Sequence, residues 1–186
     1  MTDEAAYRQY LMGDASGIEM LVEKYGDALI LYLCRYIGDR HEAEDLMIET
    51  FARLLARERD ITGEGGFKAY LFRIARNLAL RHRTRCRIAT VPFDELPVEI
   101  CGEPNAEGGV LQTERERQLH DAMAKLKPEY REALYLVYFE NMRYREAGQV
   151  LHKTEAQMTN LVHRAKNRLR EILEREGFTY GDADER

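Results

Sequence analysis

Between Gly65 and Phe93 the chain has no Asp or Glu, and there it places Lys68, Arg73, Arg76, Arg81, Arg83, Arg85 and Arg87, with Phe67, Tyr70 and Phe72 among them. Guanidinium groups neutralise phosphate and aromatic rings stack on unpaired bases. This combination suits a groove for single-stranded nucleic acid. A plain duplex binder has no need of the aromatics. A simpler explanation exists: Phe67, Leu71, Ile74, Ala75 and Leu78 recur at helical intervals and mark one buried face, and arginines opposite such a face can be merely solvated. The complete absence of acids, together with a second basic block, favours the nucleic-acid reading.

That second block lies in the C-terminal third. Tyr144 to Leu151 has the spacing of a short helix, Lys153-Thr154 reads as a turn, and Thr154-x-x-Gln157 is a capping box that opens a long helix. Met158, Leu161, Val162, Ala165, Leu169 and Ile172 form its apolar face. Helix, tight turn and basic second helix make a helix-turn-helix, whose second helix enters the major groove by its N-terminal half. The outward residues there are Gln157, Thr159, Asn160, His163 and Arg164, followed by Lys166, Asn167, Arg168 and Arg170. Asn and Gln can read adenine edges, Arg can read guanine or hold phosphate, and the later cations meet mostly backbone. The alternative is an ordinary helical hairpin with a basic surface. It draws support from His152, which stands where such turns often carry glycine, while Gly148 falls inside the first helix.

The elements that must position these residues are helical. Ser16-x-x-Glu19 reads as a capping box, and Ile18, Leu21, Val22, Tyr25, Leu29, Tyr32, Leu33 and Tyr36 follow at three- and four-residue steps until Gly38 ends the run. A second helix is expected from about His41 to about Arg57. Glu42, Glu44 and Asp45 sit in its first turns, where the helix dipole favours negative charge, and Leu46, Phe51, Leu54 and Leu55 form its apolar face. Ile48 falls partly off that face among acids, which marks either a docking surface or a half-buried position. Thr62 to Gly66 is a loop by composition. Gln112 to Leu126 forms a further helix, and Pro128 opens the next, with Tyr130, Ala133, Leu134 and Val137 buried.

Val91 to about Gly109 breaks the pattern with Pro92, Pro97 and Pro104 and is acidic through Asp94, Glu95, Glu99, Glu103 and Glu107. It reads as an interdomain linker, either a bare tether or a mimic of a nucleic-acid strand. The expected organisation is all-α: two small helical domains, 1–90 and 111–178, joined by a flexible acidic linker at 91–110 and followed by a tail at 179–186.

Composition narrows the function. The 186 residues carry a net charge of −5, so the two basic blocks stand out against an acidic background that suits protein partners. Cys34, Cys86 and Cys101 are odd in number and widely spaced. That argues against zinc and against disulfides and points to a reduced cytoplasm. The charged N-terminus is no signal peptide, and no stretch approaches the roughly 20 apolar residues of a membrane span. Neither a phosphate-cradling glycine loop nor a nucleophile elbow nor a metal-ligand set is present. The chain is therefore expected to be no enzyme and to use no metal, cofactor or small-molecule substrate.

Taken together, the chain resembles the extracytoplasmic-function sigma factors, promoter-specificity subunits of bacterial RNA polymerase. The resemblance rests on Ala43-Glu44-Asp45-Leu46 with Glu49-Thr50-Phe51, on Tyr70-Leu71-Phe72-Arg73-Ile74-Ala75-Arg76-Asn77, on Leu126-x-Pro128-Glu129-Tyr130-Arg131-Glu132-Ala133-Leu134, and on Arg164-Ala165-Lys166-x-Arg168-Leu169. It implies that Asp45, Ile48, Glu49 and Phe51 dock on the core polymerase. It implies that Tyr70 and Asn77 meet extruded bases of the minus-ten element while Arg73, Arg76, Arg81 and Arg85 meet phosphates. It implies that Gln157, Thr159, Asn160, His163, Arg164 and Lys166 form the surface that reads the minus-thirty-five element. The linker would thread the polymerase's RNA channel, and an anti-sigma protein is the implied inhibitor. Family members often carry Gln where Ile48 stands, Trp at Tyr70, and basic residues at Thr159 and Leu161. Those last departures leave open a second function, a decoy that occupies an anti-sigma factor without engaging promoter DNA.

Overall fold

The structure, a computed structural model, describes residues 1–57, 61, 66–86 and 114–178. Among these it contains helices and turns and no strand, so the all-α class holds. The chain divides into two compact units. The expected linker, the tail, Arg87 and all but the last residue of the Thr62–Gly66 loop lie outside the described residues.

The first unit begins with α1 (Asp3–Leu11), capped by Thr2, whose hydroxyl accepts the Ala5 amide at 3.2 Å. The next helix, α2, runs from Ser16 to Ile37. The expected Ser16 capping box does not form. Instead the Asp14 carboxylate accepts from both the amide of Ser16, at 3.0 Å, and its hydroxyl, at 2.8 Å. Ser16 is thus the first helical residue, and an acid two residues upstream satisfies the free amide. Gly38 ends α2 in the left-handed conformation, φ 75°. Helix α3 (Arg40–Leu55) starts from Asp39, which accepts the Glu42 amide at 2.9 Å. Helix α4 (Gly66–Cys86) carries the basic block, and Gly66 already belongs to it.

Leu21, Leu29, Leu33, Leu54, Phe67, Leu71 and Phe72 are almost wholly buried and form this unit's core. Its aromatic part forms two groups: Phe67 lies 5.6 Å from Tyr7 and 6.0 Å from Tyr25 between ring centroids, and Phe72 lies 5.2 Å from Tyr32. Such pairs add to the stabilisation from area alone. The Tyr7 hydroxyl donates to the Leu54 carbonyl at 3.2 Å, so a buried phenol is satisfied rather than stranded. Cys34 is disulfide-bonded, which corrects the expectation of free thiols.

The helices that follow are α5 (Glu114–Ala124), α6 (Pro128–Leu134), α7 (Tyr144–Leu151) and α8 (Glu155–Arg175); all fall in the second unit except Gln149–Leu151 at the end of α7. Pro128 opens α6 as expected, and α6 continues into one π-helical turn, Tyr135–Phe139. Lys127 and Pro128 are framed by Arg131, whose Nη2 donates to the carbonyls of Ala124 (2.7 Å) and Leu126 (3.1 Å) and so ties α6 to the end of α5. An ion pair between Lys125 and Glu176 links the end of α5 to the end of α8. Met158, Leu161, Val162 and Ala165 are buried along α8, as their spacing required.

Candidate nucleic-acid interface

In the first unit, only part of the expected basic surface converges. Tyr70, Asn77 and Arg81 of α4 line an open cleft of about 390 Å³, together with Ile74 and with Arg53, Ala56 and Arg57 from the end of α3. Arg81 also lines a neighbouring hollow with Leu80, Thr84 and Arg85. Arg73 and Arg76 do not line the cleft. Arg73 places its guanidinium carbon 5.2 Å from the centre of the Tyr70 ring. Of the three aromatics expected to stack on bases, Phe67 and Phe72 are fully buried. Their place in the helical repeat sends them inward, and Tyr70 is left as the single ring at the cleft.

Arg53 and Arg57 are additions that the chain's pattern did not single out. They lie outside the acid-free stretch, and their arrival at Tyr70 depends on how α3 packs on α4. Arg57 donates from Nη1 to the Tyr70 hydroxyl and brings its guanidinium carbon to 5.4 Å from the ring centre. Arg53 is held by Glu49 through two hydrogen bonds, Nε at 3.0 Å and Nη2 at 2.6 Å. An exposed i,i+4 pair of this kind stabilises the helix by only about 0.3–0.5 kcal/mol, and so leaves Arg53 available to a stronger anion.

The outer face of α3 carries the expected docking residues unevenly. Ile48 is 62% exposed, which settles its alternatives in favour of an accessible apolar side chain. Asp45 is exposed beside it, and Glu49 is half-buried by its bond to Arg53. Phe51, by contrast, is 5% exposed. It belongs to the core, and its contribution to any docking face is to hold the helix in place.

In the second unit the α7–turn–α8 geometry is built tightly. Lys153 N–H donates to the Gly148 carbonyl at 2.8 Å, and a β-carbon on Gly148 would meet the Lys153 carbonyl oxygen at 2.6 Å. Glycine inside α7 is therefore what lets the turn close. His152 adopts the left-handed conformation, φ 56°, so this turn does make the sharp reversal that glycine commonly provides. The Thr154–Gln157 capping box is present in both directions, at 3.2 and 2.9 Å.

Thr159, Asn160, His163, Arg164 and Lys166 are all exposed along α8. Gln157 is exposed too, but its side-chain oxygen is taken by the Thr154 amide. An amide reads adenine with its oxygen and its NH2 together, and the capping bond takes one lone pair of the Gln157 oxygen and turns the amide toward Thr154. Arg164 reaches back to the Asn160 carbonyl at 3.4 Å, His163 faces the Asn167 amide at 3.5 Å, and Lys166 lies 5.8 Å from the Tyr138 ring. These bonds are long or weak and leave the ends of the side chains accessible. Leu161 is buried at 2%. An apolar residue there fills the core, and its presence removes nothing from the outer face.

Among the described residues no group of three or more His, Cys, Asp or Glu side chains could hold a metal ion, and no helix is long and apolar enough to cross a membrane.

Two family models match this architecture. Sigma-70 region 2 matches residues 21–87, which takes in α3, the cleft and α4, and sigma-70 region 4 matches residues 116–169, which takes in the helix-turn-helix. Among curated proteins, the ECF RNA polymerase sigma factor SigE of Mycolicibacterium smegmatis is 32% identical over 158 residues, 82% of this chain and 60% of that one. The ECF RNA polymerase sigma factor BldN of Streptomyces coelicolor is 31% identical over 164 residues, 87% of this chain and 62% of that one. This chain thus spans about three fifths of the length of those two relatives. SigM of Bacillus subtilis is 27% identical over 158 residues, 85% of this chain and 96% of that one. Among solved structures, CnrH in complex with the cytosolic domain of CnrY shares the fold with a TM-score of 0.64 at 20% identity, over 94% of this chain and 98% of that one. The chain belongs to the sigma-70 family, in its extracytoplasmic-function group.

Proposed function

We propose that this chain is a promoter-specificity subunit of bacterial RNA polymerase that acts in the cytoplasm and performs no chemistry of its own. It supplies differential binding energy: a surface that holds an unpaired strand better than a duplex shifts promoter opening toward the melted state. The observation that carries this reading is the cleft in which Arg53, Arg57 and Arg81 surround Tyr70 and Asn77. Cations, a ring and an amide converge there as a single-strand site requires.

The roles divide by helix. Exposed Ile48 and Asp45 with Glu49 on α3 dock on the core polymerase. Tyr70 and Asn77 take bases of the minus-ten element, and Arg73, Arg76, Arg81 and Arg85 take phosphates. Thr159, Asn160, His163, Arg164 and Lys166 on α8 read the minus-thirty-five element. Residues 1–90 and 111–178 act as the two DNA-engaging domains, with 91–110 between them. The sigma factor RpoE of Bartonella quintana was solved in complex with the anti-sigma factor NepR, and an anti-sigma protein is the natural regulator to expect here. The retained basic surfaces and the inward-facing Leu161 weigh against a decoy, which needs no DNA-binding chemistry.

Transcription reconstituted with bacterial core polymerase tests this reading. The chain should direct initiation at defined sites, and Asn77→Ala should impair open-complex formation while sparing polymerase binding. Absence of initiation would overturn this reading and leave the decoy as the alternative, and loss of polymerase binding in Asn77→Ala would make Asn77 a structural residue.

A further inference from the structure

We propose that Arg57 is a positioning residue for strand recognition, which acts by fixing Tyr70 in the cleft. The inference rests on the proposed function of the cleft and adds a residue to it. Tyr70 is half-buried on α4 with its hydroxyl at the surface. A tyrosine in that setting has two free torsions, and a stacking platform must give up both of them when a base arrives. Arg57, two residues beyond the end of α3, donates from Nη1 to the Tyr70 hydroxyl and brings its guanidinium to 5.4 Å from the ring centre. Arg73, one helical turn along α4, approaches the same ring to 5.2 Å. Two cations drawn to one ring quadrupole, one of them also hydrogen-bonded to the phenol, hold the ring in place before any strand binds. The ordering cost of the platform is then met in the free protein rather than at binding.

The bond also sets the phenol's polarity. Guanidinium has no acceptor, so the Tyr70 oxygen accepts from Arg57 and its own O–H remains to donate. Arg53, Arg57 and Arg81 contribute only donors to the cleft, and Asn77 contributes both kinds. The lining therefore favours a base edge rich in acceptors.

The test uses the full chain assembled with bacterial core polymerase. Its probe is a fluorescein-labelled single DNA strand selected from random sequence on the wild-type assembly. Arg57→Ala, Arg57→Lys and Arg57→Gln are measured alone and in a Tyr70→Phe background. Arg57→Ala should weaken strand binding about five- to tenfold in the wild-type background, as loss of a hydrogen bond to a charged donor does. In the Tyr70→Phe background it should cost less than about twofold. Arg57→Lys should recover most of the loss and Arg57→Gln part of it, since both keep a donor. The slope of log affinity against log salt should stay within about 0.3 of wild type, because no phosphate contact is removed.

An equal loss in both backgrounds, with the salt slope falling by about 0.7, would overturn the proposal and make Arg57 a phosphate ligand. An unchanged affinity in Arg57→Ala would also overturn it. Should Arg57→Ala lose its fold, seen as lost polymerase binding, the Gln and Lys variants carry the same comparison. If Tyr70→Phe and Asn77→Ala both bind the strand as wild type does, the cleft is no strand site, and the reading beneath the proposal fails with it.

Discussion

The carbonyl oxygen of Lys153 closes over the α-carbon of Gly148, where a β-carbon would come within 2.6 Å of it and within 3.2 Å of Met158 Cγ. The first of these partners is backbone and cannot rotate away. Gly148→Ala should therefore destabilise the second unit by about 1–3 kcal/mol, the usual cost of forcing atoms into a closed site. His152 offers the opposite change. Its left-handed backbone costs an L-residue on the order of 1–2 kcal/mol, so His152→Gly should raise stability by up to about 1 kcal/mol. Urea denaturation of the full chain, followed by circular dichroism, reads both signs.

Ile48 and Phe51 lie three residues apart on α3 and should separate docking from folding. Ile48 is 62% exposed and Phe51 is 5% exposed. Ile48→Asp should leave stability within about 0.5 kcal/mol, as surface changes do, and should weaken association with core polymerase measured by anisotropy. Phe51→Ala should cost about 3–5 kcal/mol of stability by leaving a cavity. Equal polymerase affinity in Ile48→Asp and wild type would remove Ile48 from the docking face.

On α8, Arg164 is exposed and makes a long 3.4 Å bond to the Asn160 carbonyl. Arg164→Ala should weaken binding of duplex minus-thirty-five DNA by about 1–3 kcal/mol. Gln157 has its oxygen in the capping box, so Gln157→Glu, which preserves that bond, should keep the fold. Gln157→Ala should lower stability by about 0.5–1 kcal/mol. If Gln157→Ala changed base preference and left stability intact, the box would be secondary to base reading at that position.

Asp14 carries a prediction in pH. Its carboxyl is held below the ordinary aspartate value of 3.8 by the hydrogen bond from Gln9 first, then by the side chain and the amide of Ser16. A depressed folded-state value means that the carboxylate's contribution to the start of α2 is fully present above pH 3.8. It is lost as pH falls through the lowered value. A carbon-detected NMR titration should place the Asp14 midpoint below 3.8, and Gln9→Ala should move it upward. A midpoint that ignores Gln9→Ala would mean that the Ser16 bonds alone set it.

Helices were legible in the sequence because their signals are local. The α2 apolar run, Gly38 as its stop, Pro128 at the head of α6 and the Thr154–Gln157 box each depend on residues within a turn or two of one another. The acid-free stretch likewise announced a cationic face on α4. Ser16 shows where even a local signal divides: Asp14, two residues earlier, competes for the same amide and wins it. What packing alone decided was which side chains meet across helices. It drew Arg53, near the end of α3, and Arg57, two residues beyond it, to the cleft that Tyr70 of α4 lines, and made Gly148 rather than residue 152 the position where the turn requires glycine. Periodicity tells which face of a helix is apolar, but the residue that stands opposite a given side chain depends on the crossing and register of two helices, and no single segment carries that information.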